Sequence, residues 1–511
     1  MSRVAWLVIP SEPIGVINPD LHGAFAEHLG ELIYPGLWAD GARGSHPEGL
    51  RQDVLQALQP LALPVLRWPG GNFADSYRWR DGIGPRAARP ARINTQWGNA
   101  LEPNHFGTHE FIDLCRALGC APYLAGNLGS ETPAYLKDWV EYCNLASGSQ
   151  LSAERTRNGS PEPFQVRYWG VGNESWGAGG NMGPEHYAAE FARYRTYLHE
   201  YSGTKPFAVA SGPNSADFAW TERFFEYAFR NHGQRTGLDA FALHHYVWNT
   251  SRTALDIDTD NWFATLTKAW ALNGLIEGHR LLMDRFDPTR KVALVLDEWG
   301  AWHKTEPDKP SHSLFQQNTV RDALIAAIEL DLFHRHAAVL RMANLAQVVN
   351  VLHALVLADE SRCFRTPTYH VFDLYRPHRG ARAVRCVNLS DVVSDGGSAA
   401  EDCRALRLDR QPQTLRRVLG SASLRGDRLT ATLVNTHPEQ PCELELEAFG
   451  APLDSAECVE LGFEHIRDCN TFEQPERVRL LEPQTLRALG GKLRLSLRPG
   501  AILRVQARLR S

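Results

Sequence analysis

A chain of 511 residues, 43% hydrophobic and 22% charged, can bury a large core, as one large domain with a smaller one or as three small ones. Its formal net charge of -5 and pI near 6.5 argue against nucleic acid or an anionic membrane as partner. No stretch approaches the roughly 18 apolar residues of a membrane span, the apolar run before Pro10 is too short for a signal peptide, and nine cysteines without metal-like spacing read as reduced thiols of a cytoplasmic protein.

In chain order, VAWLVIP at 4–10 reads as a first strand. From about residue 20 to 375 one grammar recurs: a short apolar run closing on polar or glycine residues, then a longer stretch with helical spacing. The runs are LHGAFAEHLG (21–30), PVLRWPGGN (64–72), APYLAGNLGS (121–130), FQVRYWGVGNE (164–174), PFAVASGPN (206–214), LDAFALHHYVW (238–248), KVALVLDEWG (291–300) and HAAVLRMANLAQ (336–347). Between them HEFIDLCRALG (109–119) and EHYAAEFARYRTYLHEY (185–201) repeat their apolar residues every three to four, as helices do. Eight alternations of buried strand and helix predict a (β/α)8 TIM barrel over residues 15–377. Past 378 the pattern changes. VNLSDVVSDGGSAAEDC (387–403) reads as a long loop, and RALRLDRQ (404–411), RLTATLVNT, CELELEAF and KLRLSLRPGAILRVQARL alternate with period two. That predicts an all-β, jelly-roll-like antiparallel sandwich over 378–511, completed by residues 1–14.

In a barrel of this kind the chemistry sits at the carboxyl ends of the strands. Those ends carry Glu27 and His28, Arg67 and Asn72, Asn127, Asn173 and Glu174, Asn214, His244 and Tyr246, Glu298, and Asn344 and Gln347. GVGNES offers a Gly-x-Gly after a strand, but Ser175 stands where a dinucleotide fingerprint has its third glycine. Glu174 would also repel a pyrophosphate, and no Walker loop occurs, so a nucleotide cofactor is not expected.

The carboxylates give the better reading. Glu174 closes strand four and Glu298 closes strand seven, on nearly opposite walls of the mouth. Inward side chains there would stand on the order of 5 Å apart, the separation of a retaining glycoside hydrolase. The plainer alternative makes both of them rim residues paired with arginines. Adjacent His244 and His245 must point to opposite sides of strand six, and His244 shares a face with Tyr246. His334 and His336 fall near a helix end, where they would complement the dipole rather than bind metal, and no cluster has metal spacing.

WGVGNESWGAGGNM (169–182) resembles the acid/base segment of α-L-arabinofuranosidases of glycoside hydrolase family 51, and LVLDEWGAWH (294–303) is similar to that family's nucleophile strand. The likeness continues through GAFAEHLG (23–30), RWPGGNFADSYRWRDGIGP (67–85), EYCNLASG (141–148), NGSPEPFQVRYWG (158–170), MANLAQVVNVL (342–352), RTPTYHVFDLY (365–375) and NTFEQPERV (470–478). It implies Glu174 as acid/base and Glu298 as nucleophile, with Asn173 on the sugar 2-hydroxyl. It further implies that Tyr246 orients Glu298 and that His244 approaches Glu174. Glu27, Arg67 and Asn72 would bind the furanose hydroxyls, and Gln347 and Trp97 would line the same subsite and its entrance. Glu27 with Arg67 could instead be a buried ion pair, and Trp97 a packing residue. AGNLGSET (125–132) adds Glu131 as a further subsite acid.

The function so implied is retaining, exo-acting release of terminal α-L-arabinofuranosyl residues from arabinoxylan- or arabinan-type oligosaccharides. No cofactor or metal is implied, nor a nucleic-acid or membrane partner, and assembly is as a homo-oligomer, typically a hexamer. The rivals are a β-xylosidase or endo-glucanase on the same barrel, and a non-catalytic carbohydrate-binding protein. The loops VWNTSRTALDIDTDNWF (247–263) and AWHKTEPDKPSHS (301–313), where family members differ, would set the leaving group.

Overall fold

The computed structural model describes residues 4–39, 41, 46, 48–232, 237–394 and 414–510. Eight parallel strands close into a barrel: Gly23–Phe25, Val65–Trp68, Ala121–Gly126, Tyr168–Val171, Phe207–Ala210, Ala240–Asn249, Ala293–His303 and Leu340–Ala346, each falling within or overlapping the apolar run that predicts it. Helices cover the outside, and the local sequence says where each begins and ends. Proline occupies the first turn of Pro133–Asn144, Pro184–Arg195 and Pro367–Tyr375, where its missing N–H costs nothing. Gly119, at φ 70°, ends Thr108–Leu118 in the left-handed conformation that an achiral residue adopts freely.

Alternation along each strand divides the core in two. Val65, Tyr123, Tyr168, Val209, Val295 and Met342 fill the barrel interior, while larger apolar residues face the helices. Strands six and seven run further than the sequence suggests, to Asn249 and His303, so the first residues of both expected loops belong to the sheet. Between these strands the pairing slips by one: Leu243 stands opposite Leu296 but His244 opposite Glu298, which leaves Asp297 as a bulge.

The second layer is a ten-stranded sheet. It includes Arg382–Asn388, Val418–Arg425, Arg428–Asn435, Cys442–Ala448, Leu453–Gly462, Leu493–Leu497 and Ile502–Leu509. Val4–Val16 lies between Arg382–Asn388 and Cys442–Ala448, antiparallel to the first and parallel to the second, so the sheet is not purely antiparallel. The strand expected at 404–411 lies outside the described residues. Part of the expected loop is strand instead: Val387 and Asn388 close Arg382–Asn388, and Val392–Ser394 pairs with Leu415–Arg416.

Helix Val320–Arg335 is buried on every side from Val320 to His334, because it lies against both the barrel and the sheet. Several of its polar residues find their partners within the protein. Asp331 accepts hydrogen bonds from Ser421 and Thr432 (2.6 Å each) and Tyr375 (3.0 Å). His334 and His336 do not act as helix-end cations. Burial holds His334 well below the ordinary histidine value and His336 at about 4, and each makes a neutral hydrogen bond, to Ser421 and Asn273.

Asp331→Ala removes the acceptor shared by three buried hydroxyls, of which Tyr375 keeps the Ala327 carbonyl at 3.2 Å, and is expected to destabilise the protein by about 3 kcal/mol. Asp331→Asn, which keeps one oxygen for Ser421 and Thr432, should cost clearly less. Thermal unfolding of the two variants checks the order, and equal midpoints would contradict it.

Candidate active site

At the carboxyl end of the barrel, alternation along strand two turns Arg67 inward with Val65. Its guanidinium is 1% exposed and spans the mouth. Nη1 donates to Glu298 Oε1 at 2.9 Å and Nη2 to Asn173 Oδ1 at 2.6 Å, while Nε lies 3.9 Å from Asp297 Oδ2. The Phe25 ring packs 4.7 Å below it. One cation thus joins the ends of strands two, four and seven.

Glu298 receives a second donor, the Tyr246 hydroxyl at 2.7 Å, and faces His244 Nδ1 at 3.4 Å. His244 Nδ1 lies 2.9 Å from Glu174 Oε1, so this imidazole sits between the two acids. His245 points the other way, to Glu329 on the helix behind. Burial alone would raise the Glu298 carboxyl, but His244, Arg67 and the Tyr246 hydroxyl outweigh it and hold the group below the ordinary carboxylate range. Burial opposes charge on His244 too, yet Glu298 and Glu174 hold it above the usual histidine value. Glu174 and Glu298 bring carboxylate oxygens within 4.8 Å of one another. Glu174 is the more open of the two, its side chain 20% exposed against 7% for Glu298.

Across the mouth Glu27 accepts from the Phe73 N–H (3.0 Å), Trp97 Nε1 (2.8 Å) and Gln347 Nε2 (3.3 Å). Burial raises its carboxyl to about 7 against the first two of these donors, with Glu298 adding to the rise. Trp97 stands on a hairpin, Arg92–Asn94 with Ala100–Glu102, that follows strand two. His28 fixes this hairpin by bonding Glu102 at 2.6 Å and receiving Asn94 Nδ2 on its carbonyl at 2.6 Å.

These side chains enclose a cavity of about 140 Å³, the scale of one monosaccharide. Of the residues singled out in the sequence, Glu27, Asn72, Trp97, Glu174, Asn214, His244, Tyr246, Glu298 and Gln347 line it. Arg67 and Asn173 lie behind the wall, where Arg67 bonds both Asn173 and Glu298. Glu131 does not join them; it pairs with Arg78 at 3.1 Å. Among the described residues only Glu174, His244 and Glu298 bring three possible metal ligands together, and the adjacent Arg67 charge opposes a cation there.

Several residues of the site are not legible from strand ends. Asp297 accepts the Tyr123 hydroxyl at 2.8 Å inside the barrel, although strict alternation with Glu298 would turn it outward; the bulge is the reason. Asp75 accepts main-chain N–H groups from the ends of strands three and four. Trp248 and Trp302, cross-strand partners on the extended strands six and seven, stack at 4.6 Å between ring centroids beside Tyr246 and line the cavity with Trp176.

Comparison with known proteins was made on this geometry. Residues 57–263 match the family model of the α-L-arabinofuranosidase 1 domain, and residues 297–500 that of the α-L-arabinofuranosidase C-terminal domain. An intracellular exo-α-L-arabinofuranosidase of Bacteroides ovatus is 39% identical over 471 residues, covering 91% of this chain and 88% of the relative. The crystal structure of a GH51 arabinofuranosidase from Xanthomonas axonopodis pv. citri superposes with a TM-score of 0.91 at 36% identity, over 99% of this chain and all of the other. An α-L-arabinofuranosidase from Thermotoga maritima, solved as an arabinose complex, gives 0.84 at 28% identity, over 99% and 100% of the two chains.

Tyr246→Phe removes a donor that keeps Glu298 ionised. Activity that needs the ionised form persists above the Glu298 pKa and is lost as pH falls through it. The substitution raises that pKa, so the acid limb of kcat/KM should move to higher pH, with the optimum reduced by about tenfold. A pH profile with an unmoved acid limb would take Glu298 out of the titration.

Proposed function

The chain belongs to the α-L-arabinofuranosidases of glycoside hydrolase family 51, and on that premise we propose how its own residues carry the reaction. It is an exo-α-L-arabinofuranosidase. Glu298 is the nucleophile: held as a carboxylate by Arg67 and Tyr246, it attacks the anomeric carbon as the glycosidic bond breaks. Glu174 gives its proton to the departing oxygen. The resulting arabinosyl ester on Glu298 is then hydrolysed by a water whose proton Glu174 takes back. The observation that carries this reading is the pair itself. The two carboxylates stand within 4.8 Å on opposite walls, which leaves no room for an intervening water and so favours two displacements with retention over one with inversion.

Glu27, Asn72 and Gln347 supply fixed acceptors and donors for the hydroxyls of one furanose ring. Arg67 acts on the sugar indirectly: it fixes the Asn173 amide, whose Nδ2 donates at 3.5 Å to Asn72 on the cavity wall, so both stand behind the residue that meets the sugar. Trp248 and Trp302 offer flat faces to the leaving group, which suits a sugar of an arabinoxylan or arabinan oligosaccharide. Cytoplasmic residence is supported by the word intracellular in the name of the Bacteroides relative and by eight described cysteines with no disulfide among them. Assembly as a homo-hexamer is part of the same reading; sedimentation giving the mass of a single chain would remove it.

The sugar is tested with aryl glycosides: α-L-arabinofuranoside should be cleaved, with β-D-xyloside and β-D-glucoside slower by orders of magnitude. Glu298→Ala should abolish turnover of every substrate. Glu174→Ala should lose substrates with poor leaving groups and retain the first step on those with acidic leaving groups. Product analysis by NMR giving inverted arabinose would replace the double displacement by a single one.

A further inference from the structure

Glu174 has φ 40°, in the left-handed region that a side-chain-bearing residue enters only under strain. Such strain persists only where the surroundings enforce it. After Glu174 the chain turns tightly: the N–H groups of Gly177 and Gly179 reach the Glu174 carbonyl at 2.8 and 3.1 Å, and that of Met182 reaches the Ser175 carbonyl at 2.7 Å. Before it, the hold comes from Asp75, 4% exposed, on the short helix Asn72–Ser76 that follows strand two. Asp75 Oδ1 accepts the Leu128 and Gly129 N–H groups at 2.8 and 2.7 Å, and Oδ2 accepts the Asn173 N–H at 2.9 Å. Its own carbonyl is fixed by Ser130 Oγ at 2.7 Å. The packing is close enough that a Cβ on Gly179 would meet the Asn173 carbonyl at 1.7 Å and Asp75 Oδ2 at 2.8 Å. Asp75 does not line the cavity.

We propose that Asp75 is a positioning residue for the acid/base: its carboxylate ties the turns after strands three and four to the segment after strand two, and so holds Glu174 in its left-handed conformation. The proposal rests on the reading of Glu174 as acid/base. A proton donor must stand within hydrogen-bond reach of the glycosidic oxygen, and a displacement of about 1 Å costs on the order of 10²-fold in rate. Glu298 has its own direct holds in Arg67 and Tyr246 and meets this link only through the Asn173 amide on Arg67, so the attacking step is the less affected.

Asp75→Asn isolates it. The amide keeps an oxygen for Leu128 and Gly129 but turns an N–H toward the Asn173 N–H. On aryl α-L-arabinofuranosides of graded leaving-group acidity, kcat/KM for the poorest leaving groups should fall about 10²-fold, and for dinitrophenyl-type ones less than about tenfold. Sodium azide should accelerate the variant on the activated substrate. The anion attacks the anomeric carbon of the glycosyl-enzyme, forms the C–N bond as Glu298 leaves as a carboxylate, and needs no base. Ser130→Ala, which frees the Asp75 carbonyl together with the Asn127 amide that also bonds Ser130 Oγ but leaves the Asp75 carboxylate in place, should tilt the same selectivity the same way by about threefold, and it decides the matter should Asp75→Asn not fold. Equal losses across the leaving groups with no azide effect, or no loss at all, would overturn the proposal, provided Glu174→Ala run alongside shows both effects. If Glu174→Ala itself loses good and poor leaving groups alike, it is the acid/base assignment that falls.

Discussion

The site is organised by a single buried charge. A guanidinium at the bottom of a barrel mouth costs several kcal/mol to desolvate unless acids and acceptors meet it there. Arg67 is met by Glu298, Asp297 and the Asn173 amide, on two different strands. Both sides gain from this exchange: the cation is paid for, and Glu298 is kept ionised where burial alone would protonate it. His244, between the two acids, extends the same field to Glu174. Polar groups that stabilise the mouth and groups placed for the reaction are here largely the same atoms.

That dependence explains which parts of the site could be read from the sequence. Strand ends are legible because a parallel barrel strand is an apolar run and its polar terminus stands out, which is how Glu27, Arg67, Glu174, His244, Tyr246, Glu298 and Gln347 could be found. The choice of His244 over His245 needed only the period of a strand. Asp297 was hidden by the same rule, since one bulged residue inverts the facing of its neighbour. Asp75 was hidden because a carboxylate bonded to three main-chain N–H groups leaves no signature in residue type or spacing. Trp248 ends the sixth apolar run and Trp302 lies beyond the seventh, so it took the continuation of strand seven to stack them.

At the level of the fold, the eight alternations carried the barrel, and the change to period two carried the sheet. The parallel neighbour of Val4–Val16 was not legible, because periodicity reveals that a strand exists and not where it pairs. The histidines near the end of helix Val320–Arg335 were misread for a related reason. Sequence position suggested a solvated helix end, whereas the sheet covers it and makes charge there costly.

The place of Val4–Val16 also has a consequence for how the chain is made. This strand precedes the barrel in the chain, yet both of its neighbours, Arg382–Asn388 and Cys442–Ala448, follow it. It must wait, unpaired and partly apolar, until some 370 residues of barrel have been synthesised between it and the first of them. The barrel can fold vectorially as it emerges, one strand and helix after another. The sheet can close only once residues 382–448 have followed, so a strand made before the barrel finds its neighbours after it.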